Sequence, residues 1–379
     1  MKHAWTGGQY SLWRAALATV LCVRFVGLAC AGRAMLSLLG AREPMSTAVA
    51  SACAAAATIA CLLLAAGAWH RVAALALAAA VVLVRDPVDS VAEPIILAAL
   101  LVLVACTRPA PYLSLPAIGR ADPSGSWILP DWVYACAWIL LAAVLANDLW
   151  PVVSAGVWPD GAPESADVAW RWLGWVAYLA PLALPRRATR LAWIAIVAVE
   201  IWLIARGAST TARASDVVLL AGATFDPGWI APRDAHAVEF VYYDGHCGLC
   251  HRFVRFLLAE DRRGRAFRFA PLDSESLRRR IAPDARATLP DSVVVCTHDG
   301  ELFTRSRAIR RAASRLGGVW RAASIAAGAV PDAALDRIYD LVARVRHRVF
   351  ARPAEACPLV PAHLRSRFED ASPRPGDVP

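Results

Sequence analysis

The sequence predicts an all-α multi-pass membrane helical bundle followed by a smaller α/β domain, and three observations lead there. First, 58% of the 379 residues are hydrophobic, too apolar for an ordinary soluble chain of this length. Second, the excess lies almost entirely before residue 225, and charge divides nearby. Lys plus Arg against Asp plus Glu counts 16 against 14 up to Ala235 and 24 against 17 from His236 onward. Third, long apolar runs stop there and short runs bounded by turn residues begin. The expected boundaries are a transmembrane domain over 1–224, a linker over 225–237, a globular domain over 238–352 and a partly disordered tail over 353–379.

A membrane-crossing helix needs about 17 to 25 mostly apolar residues. The candidates are residues 12–32, 46–68, 70–84, 91–106, 132–146, 168–184, 191–205 and 215–224. Several fall short of that length, so six to eight spans are expected. The first sits where a secretory signal would, and LACAG resembles a cleavage site. Arg24 interrupts its apolar core and further spans follow, which reads as an uncleaved helix. Trp127, Trp132, Trp150 and Trp170 fit an interfacial belt near span ends. The loop over 147–167 carries Asp148, Asp160, Glu164 and Asp167 with no Lys or Arg, whereas PRRATR carries Arg186, Arg187 and Arg190.

The basic loop belongs on the cytoplasmic side of a cell inner membrane. With eight spans, both termini and the globular domain are then cytoplasmic; without 215–224 as a span, the globular domain lies on the other side. Arg24 and Glu200, inside spans, read as a structural pair, as snorkelling groups or as a polar site. Cys22, Cys30, Cys53, Cys61, Cys106 and Cys136 are scattered singly and read as small hydrophobes, not as a disulfide framework. Lys2 is the only lysine, and so much arginine and alanine is the bias of a GC-rich bacterial genome.

In the second half, EFVYY (239–243) reads as a buried strand and Asp244-Gly245 as a turn. Helical periodicity follows, with Leu249, Phe253, Phe256 and Leu257 on one face and Arg252, Arg255 and Arg262 elsewhere. AFRFA (266–270) alternates as a second strand, and 274–280 reads as a short helix. SVVVC (292–296) and ELFT (301–304) form a hairpin across THDG. Helical patterns cover 306–316 and 332–350. In the latter Leu335, Ile338, Val342, Val345 and Val349 recur at three and four, with Arg337, Arg344 and Arg348 outside that stripe. The order is β-α-β-α-β-β-α, and the tail after Ala371 is expected to be disordered. Arginines spread along helices without a nucleic-acid-binding motif, so the basic surface points to an adjacent membrane and not to nucleic acid.

The stretch VYYDGHCGLCHRF (241–253) holds the chemistry. Its C-x-x-C-H pattern serves dithiol exchange, half of a zinc site, or covalent haem attachment. Haem needs His251 as an iron ligand and usually a second axial ligand. All three methionines precede residue 46, which leaves His298 or His347, and the flanking strands are wrong for a small all-helical cytochrome. Zinc needs four ligands, and Cys296 with His298 would complete Cys247 and Cys250 only through a poor C-x-H spacing on a strand. The dithiol reading follows from position. A cysteine where a helix begins meets unpaired N–H groups and the positive end of the dipole, which lower its pKa. Cys247 is then the candidate nucleophile and Cys250, one turn on, the resolving thiol. His246 and Asp244 are candidates for tuning the pair, or plain turn residues. Pro290, directly before DSVVVC, stands where a thioredoxin fold carries a cis-proline beside its cysteines; the plain alternative is a strand-entry proline.

The stretch YYDGHCGLCHRFVRFLLAEDRRGRAFRFAPLDSES resembles the signature of the DCC family of thiol-disulfide oxidoreductases. It carries the Asp-Gly-x-Cys-x-x-Cys core, the arginine-rich helix and the R-F-A-P-L strand. DSVVVCTHDGELFTRSRAIRRAASRLGG and the IYDLVARVRHRVF helix continue the resemblance, which runs from Glu239 to Phe350. It implies a thioredoxin-like fold and protein-disulfide reductase activity at Cys247 and Cys250, with no cofactor and no metal. The partners it implies are a disulfide-containing protein or small thiol, beside the lipid bilayer. The membrane half is similar, through its layout and the TFDPGWIAP junction, to bacterial transmembrane domains related to vitamin K-dependent γ-carboxylase (the HTTM type). The spans contain no lysine base for carboxylation, so that activity does not carry over. The competing expectation is a membrane scaffold or transporter whose C-terminal domain only binds.

Overall fold

Alanine and leucine runs fold into the helices of a first compact unit, made of Met1–His3, Tyr10–Pro116 and Leu129–Phe225. The structure, a computed structural model, describes residues 3–38, 41–85, 92–109, 112–118, 122–157, 186–205, 211–350 and 360–369. In this unit α1 (Gly7–Cys30) is followed by the short strands β1 (Met35–Leu38) and β2 (Ala41–Pro44). Next come α2 (Thr47–Ala66), α3 (His70–Leu83), β3 (Val84–Arg85), α4 (Ala92–Cys106), α5 (Asp131–Val157), α6 (Arg186–Ala205) and α7 (Thr211–Thr224). Ser46 caps α2 through Val49 N–H, and Gly67 closes it at φ 70°, a left-handed conformation glycine adopts at no side-chain cost. A Cβ at Gly67 would stand 2.6 Å from Arg14 Nη2, so glycine also makes room for that buried guanidinium.

Alanines and leucines share the packing of α2 and α3, where Leu64 and Leu77 are fully buried. Ala50, Ala54 and Ala57 of α2, with Ala73, Ala74 and Ala78 of α3, are buried, while Ile59, Leu62, Val72 and Leu75 of the same helices are exposed. Among the described residues, α1 and α2 are long and apolar enough to cross a membrane, and apolar helices over His70–Leu83, Pro94–Cys106 and Asp131–Val144 are shorter. The expected span 168–184 lies outside the described residues, as does the Glu200 side chain and with it any Arg24–Glu200 pair.

The second unit comprises Ala4–Gln9, Ala117–Ile128 and Asp226–Pro379. It runs β4 (Glu239–Tyr243), α8 (Gly248–Glu260), β5 (Phe267–Pro271), α9 (Glu275–Arg280), α10 (Pro283–Ala287), β6 (Val294–Cys296) and β7 (Leu302–Thr304). Helices α11 (Arg305–Leu316), α12 (Gly318–Ala327), α13 (Asp332–Val349) and α14 (Ala362–Arg365) complete it. Four strands form one mixed sheet in the order β5-β4-β6-β7. β4 and β5 are parallel, Val241 opposite Phe269, whereas β6 is antiparallel to both β4 and β7.

The period of two along each strand sorts the core. Val241, Tyr243, Phe267, Phe269 and Val295 face α8 and α11, joining Cys247, Cys250, Val254, Leu257, Ala308 and Ala312. Tyr242, Ala270, Val294 and Cys296 face the other way, onto Leu277 and Ile281 of α9 and its end. Glu239, fully buried at the start of β4, accepts from Arg311 Nε at 3.0 Å and lies 3.3 Å from Arg315 Nε, which ties α11 to the sheet. Glu260, also buried, accepts from Gly8 N–H at 2.9 Å, Trp320 Nε1 at 2.5 Å and the Thr6 hydroxyl.

Two findings depart from sequence patterning. The segment after α13, to which sequence patterning gave no element, returns to the sheet: Phe269 N–H donates to Arg367 O at 2.9 Å and Glu369 N–H to Phe269 O at 2.8 Å. Val360, Leu364 and Phe368 join the core there; residues 371–379 lie outside the described residues. The apolar stripe of α13 does not face the fold. Ile338, Val342, Val345 and Val349 are exposed, and the side carrying Tyr339 and Arg346 packs inward.

Candidate active site

The chain leaves β4 at Tyr243 and turns through Asp244-Gly245-His246 into α8. The Asp244 carboxylate holds that turn by accepting from His246 N–H at 2.9 Å, and Asp244 O accepts from Cys247 N–H at 3.2 Å. Cys247 is therefore delivered as the residue capping α8, with extended φ −108° and ψ 113°. His251 N–H closes the first turn onto Cys247 O at 3.1 Å. Cys250, one turn in, points to the same side, and both thiols are unbonded and nearly enclosed, at 1% and 5% exposure.

Their acidities diverge. The Cys247 thiol is pulled down to about 6, first by the hydrogen bond from the Cys250 thiol, then by the Cys250 amide, the Arg346 guanidinium and the Leu249 amide, against the opposing effect of burial. Cys250 moves the other way, pushed up because its proton is held by Cys247, because it is buried and because a thiolate stands beside it. Two thiols one turn apart are thus split into an ionised one and a protonated one.

Arg346, buried on α13, is a residue that sequence patterning did not single out. Its Nη2 lies 2.7 Å from both Asp291 oxygens and 3.5 Å from Asp244 Oδ2. Two carboxylates orient it and the two sulfurs feel its charge. Tyr339, two turns earlier, accepts from Val293 N–H at 3.0 Å and fastens the same helix to the start of β6. The signal available in the sequence was an arginine one turn from Val342 and Val349, at the margin of the apolar stripe of α13. Its meaning depends on which side is buried.

The other candidate residues are placed as follows. Asp244 is in the site and borders Arg346; His246 is exposed and contributes its backbone to the turn. Pro290 precedes β6 with a trans peptide bond, there being no cis bond among the described residues, so the cis-proline arrangement is absent; the neighbouring Asp291 is what enters the site. His251 stacks edge-on against Tyr243 with ring centroids 5.8 Å apart. Cys296 lies in the core on the opposite side of the sheet from Cys247, and His298 pairs with Asp299 at 2.9 Å. The four residues of the zinc alternative are therefore not brought together, and the His347 side chain lies outside the described residues.

Comparison with known proteins places this geometry in company. Residues 241–352 match a family model described as DCC1-like thiol-disulfide oxidoreductase. The chain is also similar to the uncharacterized protein YuxK of Bacillus subtilis (strain 168), 29% identical over 126 residues that make up 33% of this chain and 90% of that one. No solved structure matches it. What the chain shares with the DCC1-like thiol-disulfide oxidoreductases is thus the segment that begins in β4, passes through both thiols and ends just after Arg346.

Proposed function

We infer that the protein is a membrane-anchored thiol-disulfide oxidoreductase that works as a protein-disulfide reductase, with Cys247 as nucleophile and Cys250 as resolving thiol. The observation that carries the reading is the split pair at the start of α8, with Cys247 at about 6 and Cys250 raised. At neutral pH Cys247 is largely thiolate. It attacks one sulfur of a substrate disulfide, forming a mixed disulfide and releasing the other sulfur as a thiolate that takes a proton from solvent. The charge on Cys247 is then gone, and so are the two contributions by which that sulfur raises Cys250; burial alone remains. Cys250 loses its proton and attacks Cys247, forming the Cys247–Cys250 disulfide and releasing the second substrate thiol. Two electrons have passed to the substrate, and a thiol or dithiol donor restores the pair.

The β-α-β-α-α-β-β-α order and the sheet order β5-β4-β6-β7 support a thioredoxin-like assignment for the second unit. Membrane anchoring is supported by α1 and α2 and by the exposed large apolar residues of the first unit. In this reading the chain crosses an inner membrane several times and the second unit faces the cytoplasm, where a reducing pool favours the reductase direction. The test uses the full chain in detergent with a disulfide-bonded protein substrate and a dithiol donor. Cys247→Ser abolishes turnover, and Cys250→Ser accumulates a mixed disulfide on Cys247. Undiminished reduction by Cys247→Ser would leave a non-catalytic binding domain as the better account.

A further inference from the structure

We propose that α13 is a membrane-surface helix whose exposed stripe lies on an anionic lipid bilayer. Ile338, Leu341, Val342, Val345 and Val349 recur at spacings of three and four along about 16 Å of helix. All five are exposed, Ile338 at 61% and Val349 at 69%. A run of five large aliphatic side chains left in water on one helix is a patch that marks an interaction surface. The inward side explains why the helix is not simply misoriented. Tyr339, Asp336 and Arg346 bind Val293, Ser306 and Asp291 there, and a rotation that buried the stripe would break all three contacts.

Charge selects the occupant. Arg337, Arg344 and Arg348, at intervals of seven and four, line one edge of the stripe, and all three are exposed. Among the described residues none of them pairs with a carboxylate; Arg344 Nε reaches only the Asp340 carbonyl, at 3.3 Å. The acidic residues of the helix are engaged elsewhere, Asp332 with Arg310, Asp336 with Ser306 and Asp340 with Arg305. An apolar stripe bordered by free arginines is the pattern of a helix lying in the interface of an anionic bilayer. The inference is independent of the redox chemistry.

The test is hydroxyl-radical footprinting, read by mass spectrometry, of the full chain in nanodiscs of phosphatidylcholine alone or of equal parts phosphatidylcholine and phosphatidylglycerol. Labelling of the five stripe residues is expected to fall several-fold in the anionic discs and to recover at high salt, while Leu302 and Phe303 stay unchanged. The triple variant R337E/R344E/R348E loses the difference, and R337K/R344K/R348K keeps it. Equal labelling in both discs overturns the proposal. So does protection in neutral discs that grows with protein copies per disc, which means a second copy covers the stripe. Protection appearing only on addition of an unfolded, disulfide-bonded protein also overturns it, because the stripe then docks substrate.

Discussion

Cys247 and Arg346 are 99 positions apart (346 minus 247), yet the guanidinium is among the groups that lower the thiol's pKa. Removing the guanidinium takes away one of the contributions that lower Cys247. In Arg346→Gln the pH midpoint for alkylation of Cys247, followed on its own peptide by mass spectrometry, is expected to rise from about 6 toward the ordinary thiol value, with Arg346→Lys between. A midpoint unmoved in both variants would assign the low value to the helix start and Cys250 alone. The sign for stability follows from the depressed value. A thiol more acidic when folded adds stability that is complete above its unfolded value, near 9, and is lost as pH falls through about 6. A stabilised thiolate makes the dithiol more oxidising, and Arg346→Gln is expected to lower its potential, measured by equilibration with glutathione. The two cysteines were legible because C-x-x-C after a strand is a local pattern. Arg346 was not, since its meaning comes from Asp291 and Asp244, which only the folded chain brings to it.

Helix α8 and helix α13 read alike in sequence, each with apolar residues at three and four, and fold in opposite senses. In α8 the periodic residues turn toward the core, Leu257 buried and Leu249, Phe253 and Phe256 partly so, with Val254 beside them against the sheet. In α13 the periodic residues are outside. Periodicity reports that a stretch is helical and two-sided; which side meets the core depends on neighbours elsewhere in the chain. Hydrogen exchange of the β4 amides, in the detergent-solubilised chain, separates the two cases. Leu257→Ala is expected to cost about 2–5 kcal/mol, as a large-to-small change at 1% exposure. Val349→Ala is expected to stay within about 0.5 kcal/mol. A large loss in the second variant would mean that the stripe of α13 holds the fold together. The strands were legible from alternation and turns, and β4 through β7 lie within two residues of where the pattern puts them.

Across the whole molecule, composition made the division legible and left its details unreadable. Ala4–Gln9 belongs to the second compact unit although it opens the apolar half, because Glu260 takes hydrogen bonds from Thr6 and Gly8. Nothing local to either segment announces that pairing. For the membrane reading, the chain is expected to sediment with membranes and resist carbonate extraction. A reporter fused after residue 379 is expected to register on the cytoplasmic side, and a signal from the opposite side would reverse the proposed redox direction.

The residues that lie along β5 reach past the family match, which stops at 352, to Glu369. Excising the matched segment at its boundary would strip a strand of its neighbour and uncover Phe269. An open strand edge invites copies of the fragment to stack on one another. A fragment cut there should come out of cells aggregated, and one carried through Glu369 should stay dispersed.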